Sequence, residues 1–298
     1  MSTAVSIAVP RKGRPLEAVL ERLADRADLT ELADDVISTL RYEKAVTKGT
    51  QTPERDVYER LAAYSTLGDD TRPDYTLVRD DRTGKPRRIV FDSVTVPVDG
   101  FDVNLIGREE PFRALRKHEF AYGFDSADLV LEEVVELQPD PLRSIADVNA
   151  RIDPHDTDVR VVTGLGDTVY HTLMATPEDL DGALDRSYVD GYEGRLCISP
   201  RYERLVEAVL GTRAMTAIEF THPESGVEEE AAIAGVGLGV YLTVTGSTAR
   251  EHGLVLGERL FPSETVLMEN STETTADAQT FVTNLFSVAD EETVLAVQ

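Results

Sequence analysis

Apolar and polar positions alternate along this chain in short blocks, and the period of the blocks changes repeatedly. Residues 5–9 form an apolar run closed by Pro10, which reads as a buried strand. After Pro15, the residues Leu16, Val19, Leu20 and Leu23 recur at helical spacing, which predicts an amphipathic helix that buries those four. Residues 44–75 are polar and carry Thr, Gly, Asp and Pro; they read as loops around one short helix at 53–63. Two apolar runs, 75–78 and 88–91, flank Asp80-Asp-Arg-Thr-Gly-Lys-Pro86, and the Thr83-Gly84 step suits a hairpin. Further strands are expected at 103–106, 160–163, 168–174, 194–199, 214–220, 240–244, 255–260 and 265–269. Helices are expected at 111–118, 200–210, 228–233 and 275–288, the second opening on Pro200 as first helical turns tolerate. Residues 127–135 mix both signals, and 177–184 begin a polar turn-and-helix segment. Short apolar runs alternating with helices argue for an α/β fold. No internal repeat or low-complexity segment interrupts the pattern.

Composition narrows the function classes. A chain of 298 residues with 41% hydrophobic content builds one large domain or two modest lobes. Asp and Glu number 55 against 30 Lys and Arg, a net charge of −25, and the acids are spread along the whole chain. Lys occurs at five positions only, leaving 25 arginines. Such a charge argues against nucleic acid or an anionic membrane as partner. An acidic, lysine-poor composition suits high salt, where ions screen the self-repulsion; an ordinary acidic cytosolic protein is the plainer reading. No run approaches the 18 apolar residues of a membrane span, and the charges Arg11, Lys12 and Arg14 follow the first apolar run instead of preceding it, so a cytoplasmic protein is expected. The single Cys197 rules out an intramolecular disulfide and any multi-cysteine metal site.

The segment richest in chemistry is the strand at 240–244 followed by Thr245-Gly246-Ser247-Thr248. A strand running through a short Thr/Gly/Ser loop into a helix makes a phosphate cradle: glycine lets the backbone approach the anion, and amides and hydroxyls point at its oxygens. A plain strand-to-helix turn uses the same residues. The wider string Val244-Thr-Gly-Ser-Thr-Ala-Arg-Glu-His-Gly-Leu254 resembles the phosphoribosyl-diphosphate loop of the ATP phosphoribosyltransferase catalytic chain family, with Thr245, Gly246, Thr248, Arg250, Gly253 and Leu254 matching. Ile7-Ala-Val-Pro-Arg-Lys-Gly-Arg14 resembles that family's opening. Weaker likenesses follow in order at 122–133, 165–177, Ser199-Pro-Arg-Tyr-Glu-Arg204, Ser225-Gly-Val-Glu228 and 255–270. The resemblance spans about residues 4–272 and looks like the short form of the family, without a C-terminal regulatory domain.

The resemblance implies a two-lobed α/β architecture of the type II periplasmic-binding-protein kind, with a cleft between lobes. Residues 1–174 with 256–298 would form one lobe and 175–255 the other, carrying the phosphate loop. It implies transfer of a phosphoribosyl group from phosphoribosyl diphosphate to ATP, the first step of histidine biosynthesis, with Mg2+ on the diphosphate. It also implies a homo-oligomer or a regulatory partner chain. Thr245, Gly246, Ser247, Thr248 and Arg250 would hold the 5′-phosphate, Arg250 alternatively pairing with a carboxylate. Lys12 and Arg14, just past a strand end, would clamp a diphosphate or triphosphate, or form a solvated basic turn. Glu228 would help hold nucleotide or metal, or simply belong to the solvated run 228–230. No catalytic side chain and no protein metal ligand is assigned, and none is needed as nucleophile for this displacement.

Departures from the family are as informative. The acidic pair that holds ribose hydroxyls is replaced by Tyr241 and Val244, a further acidic position is Gly237, and a mid-chain Thr-Gly is Asp125-Ser126. Unreplaced, the lost carboxylates would weaken sugar binding on the order of 10²- to 10⁴-fold. A non-catalytic binder of a phosphorylated metabolite, a regulatory paralogue, or a transferase with another acceptor therefore competes with the enzyme reading. Asp128 is expected to cap the helix that follows it, and His118, His155, His171 and His222 are expected to be structural or exposed. Lys85-Pro-Arg-Arg88 reads as a basic hairpin tip, and Gly164-Leu-Gly166 is too short to claim a dinucleotide fingerprint.

Overall fold

The computed structural model describes residues 3–66, 68–79, 87–138, 142, 144–180, 182–224 and 227–287. The expected Thr83-Gly84 turn, Lys85-Pro86 and the Ser225-Gly226 step lie outside them. The described chain forms two compact units, residues 3–125, 157–167 and 265–287 in one and 126–156 and 168–264 in the other. Each is built on its own sheet, so the expected mixed α/β class holds.

The first unit contains β1 (Thr3–Pro10), α1 (Arg14–Ala27), α2 (Thr30–Lys48), α3 (Val57–Tyr64), β2 (Asp74–Arg79), β3 (Arg87–Val98), β4 (Phe101–Arg108), α4 (Pro111–Arg116) and β5 (Tyr122–Ser126). The chain then makes α5 (Ala127–Glu133) and α6 (Ile145–Ala150) in the second unit and returns for β6 (Val159–Gly164). Next come β7 (Val169–Ala175), α7 (Arg186–Asp190), β8 (Gly194–Cys197), α8 (Glu203–Leu210), α9 (Thr212–Met215), β9 (Ile218–Thr221), α10 (Glu229–Val236), β10 (Leu238–Thr243), α11 (Ser247–Glu251) and β11 (Val255–Ser263), all in the second unit. Strand β12 (Thr265–Asn270) and α12 (Ala276–Phe286) complete the first.

The first sheet has the order β2-β3-β4-β1-β5-β12-β6. Strand β1 runs parallel to β4, in register from Thr3↔Phe101 to Pro10↔Arg108, and parallel to β5. Its Ile7, Ala8 and Val9 are fully buried, as a strand covered on both faces requires. Helix α1 buries Leu16, Val19, Leu20 and Leu23, the four the spacing predicted. Helix α2 buries Ala33, Val36, Ile37 and Leu40 and continues through residues 44–48, which read as loop from composition. The polar stretch beyond it is fastened by a buried ion pair as well as by Val57, Leu61 and Tyr64 of α3, which pack on the core. Arg60 of α3 donates to both carboxylate oxygens of Glu43 at 2.7 and 3.0 Å, and the Tyr64 hydroxyl donates to the same group at 3.0 Å. A capping box of Asp56 and Glu59 starts that helix.

The second sheet has the order β11-β7-β10-β8-β9, with β7 antiparallel to both neighbours and β10, β8 and β9 parallel. One expected strand is corrected: residues 214–220 are divided between α9 and β9. Gly211, at φ 85°, ends α8 and starts α9, and a short apolar run does not by itself distinguish the two periods. The units exchange chain at 125/126, 156/157, 167/168 and 264/265, where the sequence expectation had 174/175 and 255/256. Strands β7 and β11 pair with each other and with β10 through β7, which draws 169–175 and 255–263 into the second unit. Among the described residues no helix is long and apolar enough to cross a membrane.

Glu43 is 3% and Arg60 8% exposed, so Arg60→Ala leaves a buried carboxylate without its guanidinium. The expected loss is about 3 kcal/mol, read as a lower urea midpoint. An unchanged midpoint would show that α3 does not depend on this pair.

Candidate functional site

Strand β10 delivers the chain to Val244 and Thr245, both exposed, Val244 to 72%. Gly246 then takes φ 71° and ψ 16° at the head of α11, a left-handed turn that costs glycine nothing and other residues about 1–2 kcal/mol. A Cβ there would come within 2.3 Å of the Leu256 side chain. The loop is fastened from below. Ala249 and Leu254 pack with Met174, Cys197 and Ile233, and Tyr241 and Leu256 lie against that cluster. It is also fastened across its mouth: Arg250 donates to the Thr245 carbonyl at 2.9 Å, and the hydroxyls of Thr245 and Ser247 are 3.1 Å apart. Arg250 thus braces the loop, which neither of its two expected roles anticipated. The result is an exposed turn bearing the hydroxyls of Thr245, Ser247 and Thr248, with first-turn amides that no helical carbonyl can accept. Helix α11 has only five residues, so a helix dipole adds little here, and what the turn presents is its hydroxyls and first-turn backbone.

Beside the loop lies the first turn of α10. Glu228 occupies its N-cap position and is 3.4 Å from His252 at the end of α11. The carboxylates of Glu229, Glu230 and Glu228 surround the Tyr241 phenol; burial first, and then these charges, push its pKa well above the ordinary tyrosine value. Glu230 is itself pushed up by burial and by its two acidic neighbours. Where the resemblance led to acids on β10, this chain therefore has a tyrosine backed by acids from α10. Gly237 ends α10 at φ 104°, a conformation strained for any side-chain-bearing residue, which accounts for the missing acid there.

Lys12 and Arg14 belong to the first unit, at the carboxyl end of β1. The Arg11 carbonyl accepts from Phe91 at 3.0 Å and its guanidinium binds Asp92 at 2.9 Å, which pins the turn to β3. Lys12 is half-buried in that turn. Arg14 donates to the Asp167 carbonyl at 2.9 Å and to its carboxylate. Of the eight expected site residues, six (Glu228, Thr245, Gly246, Ser247, Thr248 and Arg250) are gathered in the second unit, and Lys12 and Arg14 stand in the first. Asp125 is buried and accepts from the Phe112 amide at 3.3 Å, serving α4.

Asp128 requires a correction. It is the second residue of α5, and its carboxylate does not cap that helix but meets His171 Nε2 at 2.7 Å, both side chains 2% exposed. Phe261 stacks on the imidazole at 4.4 Å and Tyr202 meets it edge-on at 4.6 Å. The two residues lie 43 positions apart, one on α5 and one on β7, and only the folded chain brings them together. Burial opposes the Asp128 charge, but the hydrogen bond and charge of His171, with Tyr202 and Ser263 close by, hold the carboxyl below its ordinary value. The other histidines are tied locally, His118 to Glu273 at 3.0 Å and His222 to the Ile198 carbonyl at 3.0 Å; the His155 amide donates to Asp153. Among the described residues no group of three or more His, Cys, Asp or Glu is arranged to hold a metal.

Fold and site together define a mixed α/β protein of two sheet-centred units, one of which presents a Thr-Gly-Ser-Thr loop. The family model of halobacterial ATP phosphoribosyltransferase matches residues 1–297, and the chain belongs to that family. It is similar to a chain of the ATP phosphoribosyl transferase (HisG:HisZ) complex from Thermotoga maritima, at 16% identity over 94% of this chain and 93% of that one, TM-score 0.43. It is also similar to YhfZ from Shigella flexneri, at 9% over 96% and 85%, TM-score 0.45. A third likeness is to the periplasmic aliphatic sulphonate binding protein SsuA from Escherichia coli, at 8% over 96% and 68%, TM-score 0.43. No curated protein matches the chain.

The Asp128 pair gives a pH test. Its folded carboxyl titrates below the unfolded value, about 3.9, so its stabilisation is complete above that value and is lost as pH falls through the lower folded one. Asp128→Asn is expected to lose about 3 kcal/mol at neutral pH, with the gap to the unmodified protein closing on acidification below about pH 4. A gap in urea midpoints that stays constant from neutral to acid pH would mean the charge contributes nothing.

Proposed function

We propose that the chain transfers a phosphoribosyl group from phosphoribosyl diphosphate to a ring nitrogen of ATP. The observation that carries this reading is the braced Gly246 turn, with the hydroxyls of Thr245, Ser247 and Thr248 at the head of α11, in a chain of this family. In the reaction the bond from the anomeric carbon to diphosphate breaks, diphosphate leaves with the electron pair, and the acceptor nitrogen takes its place on an oxocarbenium-like carbon. No protein nucleophile enters. The work of the protein is positioning and charge neutralisation.

On this reading Thr245, Ser247 and Thr248 hold the 5′-phosphate, and Gly246 and Arg250 keep the turn in shape. Lys12 and Arg14 take the departing diphosphate, Lys12 as a point charge and Arg14 through its planar fork. The sugar hydroxyls meet Tyr241 and the α10 acids instead of acids on β10. Mg2+, entering with the diphosphate, would help neutralise the leaving group beside Lys12 and Arg14.

Calorimetric titration in high salt with phosphoribosyl diphosphate and Mg2+, followed by ATP, tests the reading. Micromolar binding is expected, and Gly246→Pro should abolish it, because proline cannot adopt a positive φ. A folded Gly246→Pro protein that binds as well as the original would move the ligand away from this loop. Absence of binding by the unmodified, folded protein would sink the transferase.

A further inference from the structure

Asp167 joins three parts of the first unit that are far apart in sequence. Its Oδ1 accepts from the Thr265 amide at 2.7 Å and its Oδ2 from the Thr265 hydroxyl at 2.7 Å. The same Oδ2 receives Arg14 Nη1, which also donates to the Asp167 carbonyl at 2.9 Å. Thr265 is fully buried, and its own carbonyl accepts from Leu165 at 2.9 Å, so the carboxylate rests on an immobile base. Residue 167 is the last before the chain leaves this unit, and 265 is the first after it returns.

From this geometry we infer that Asp167 is a positioning residue: held by Thr265, it fixes the Arg14 guanidinium in one orientation for gripping a diphosphate. The inference rests on the role given to Arg14 in the proposed function. An arginine has four rotatable side-chain bonds, and one already ordered loses less freedom when it binds an anion. The charge of Asp167 works in the opposite direction, since a carboxylate beside an anion site repels the ligand. The two effects predict opposite outcomes when that charge is removed, and the doubly bonded Thr265 platform favours positioning.

The experiment measures binding of inorganic diphosphate by calorimetry to the full chain and to Asp167→Asn, Arg14→Ala and the double variant, with urea midpoints recorded alongside. Asp167→Asn keeps an acceptor for the Thr265 amide while removing the charge that anchors Arg14. Affinity is expected to fall roughly tenfold in Asp167→Asn. In the Arg14→Ala background the same change should cost nothing further, a coupling that a merely structural residue would not produce. Thr265→Val, which keeps both charges and removes one bond to the carboxylate, should weaken binding in the same direction by a smaller factor, and it carries the test should Asp167→Asn fail to fold. Equal or tighter binding by Asp167→Asn, or a full additional loss on top of Arg14→Ala, overturns the inference and leaves the proposed function standing. Failure of the unmodified chain to bind diphosphate removes both.

Discussion

Strand β7 lies between β10 and β11 in the second sheet, and the Thr245–Thr248 turn depends on that placement. The turn connects β10 to β11, and both are antiparallel to β7. Met174 of β7 is 1% exposed and belongs to the apolar cluster on which Ala249 of α11 and Leu256 come to rest. Leu256 then closes the space beneath Gly246 that any Cβ would fill. The shape of the turn therefore rests on hydrophobic burial one layer below it together with the Arg250 brace across its mouth.

Polar order in this strongly acidic chain is carried by arginine. Arg60 bridges α2 and α3 through Glu43, and Arg14 reaches Asp167 across 153 residues of sequence. Arg204 donates to the carbonyls of Leu131 and Val135 at 2.8 and 3.1 Å, satisfying the end of α5, while the Leu205 amide donates to Glu132 at 2.7 Å. Arg250 does the same for Thr245. A planar fork that donates to two acceptors at once suits these tasks better than the point charge of lysine, which agrees with 25 arginines against five lysines.

The departures from the family's acidic positions have a structural explanation in part. Gly237 cannot become acidic without strain, because its positive φ ends α10. Tyr241 contributes its ring to the apolar cluster under the loop and sets its hydroxyl among the α10 carboxylates. A short side chain at 241 would give up the first of these contacts. Nothing in the structure accounts for the exposed Val244.

Much of the local structure was legible in the residues themselves. The spacing of Leu16, Val19, Leu20 and Leu23 dictated α1 and its buried face, and the apolar run 240–244 followed by Thr-Gly-Ser-Thr announced a strand, a tight turn and a helix. These are short-range properties, set by side-chain period and by the conformations glycine permits. What the sequence could not declare was partnership. Asp128 looked like a cap until β7 brought His171 to it, and residues 214–220 looked like one strand until α8 ended at Gly211. Asp167 carried no signal at all, because its meaning comes from Thr265 and Arg14, which only the folded unit places within hydrogen-bonding distance. The boundary between the units was decided in the same way, since the chain belongs to whichever sheet its strands complete. A carboxylate or an imidazole has no intrinsic period, and its role is fixed by whatever donor or acceptor the fold leaves beside it.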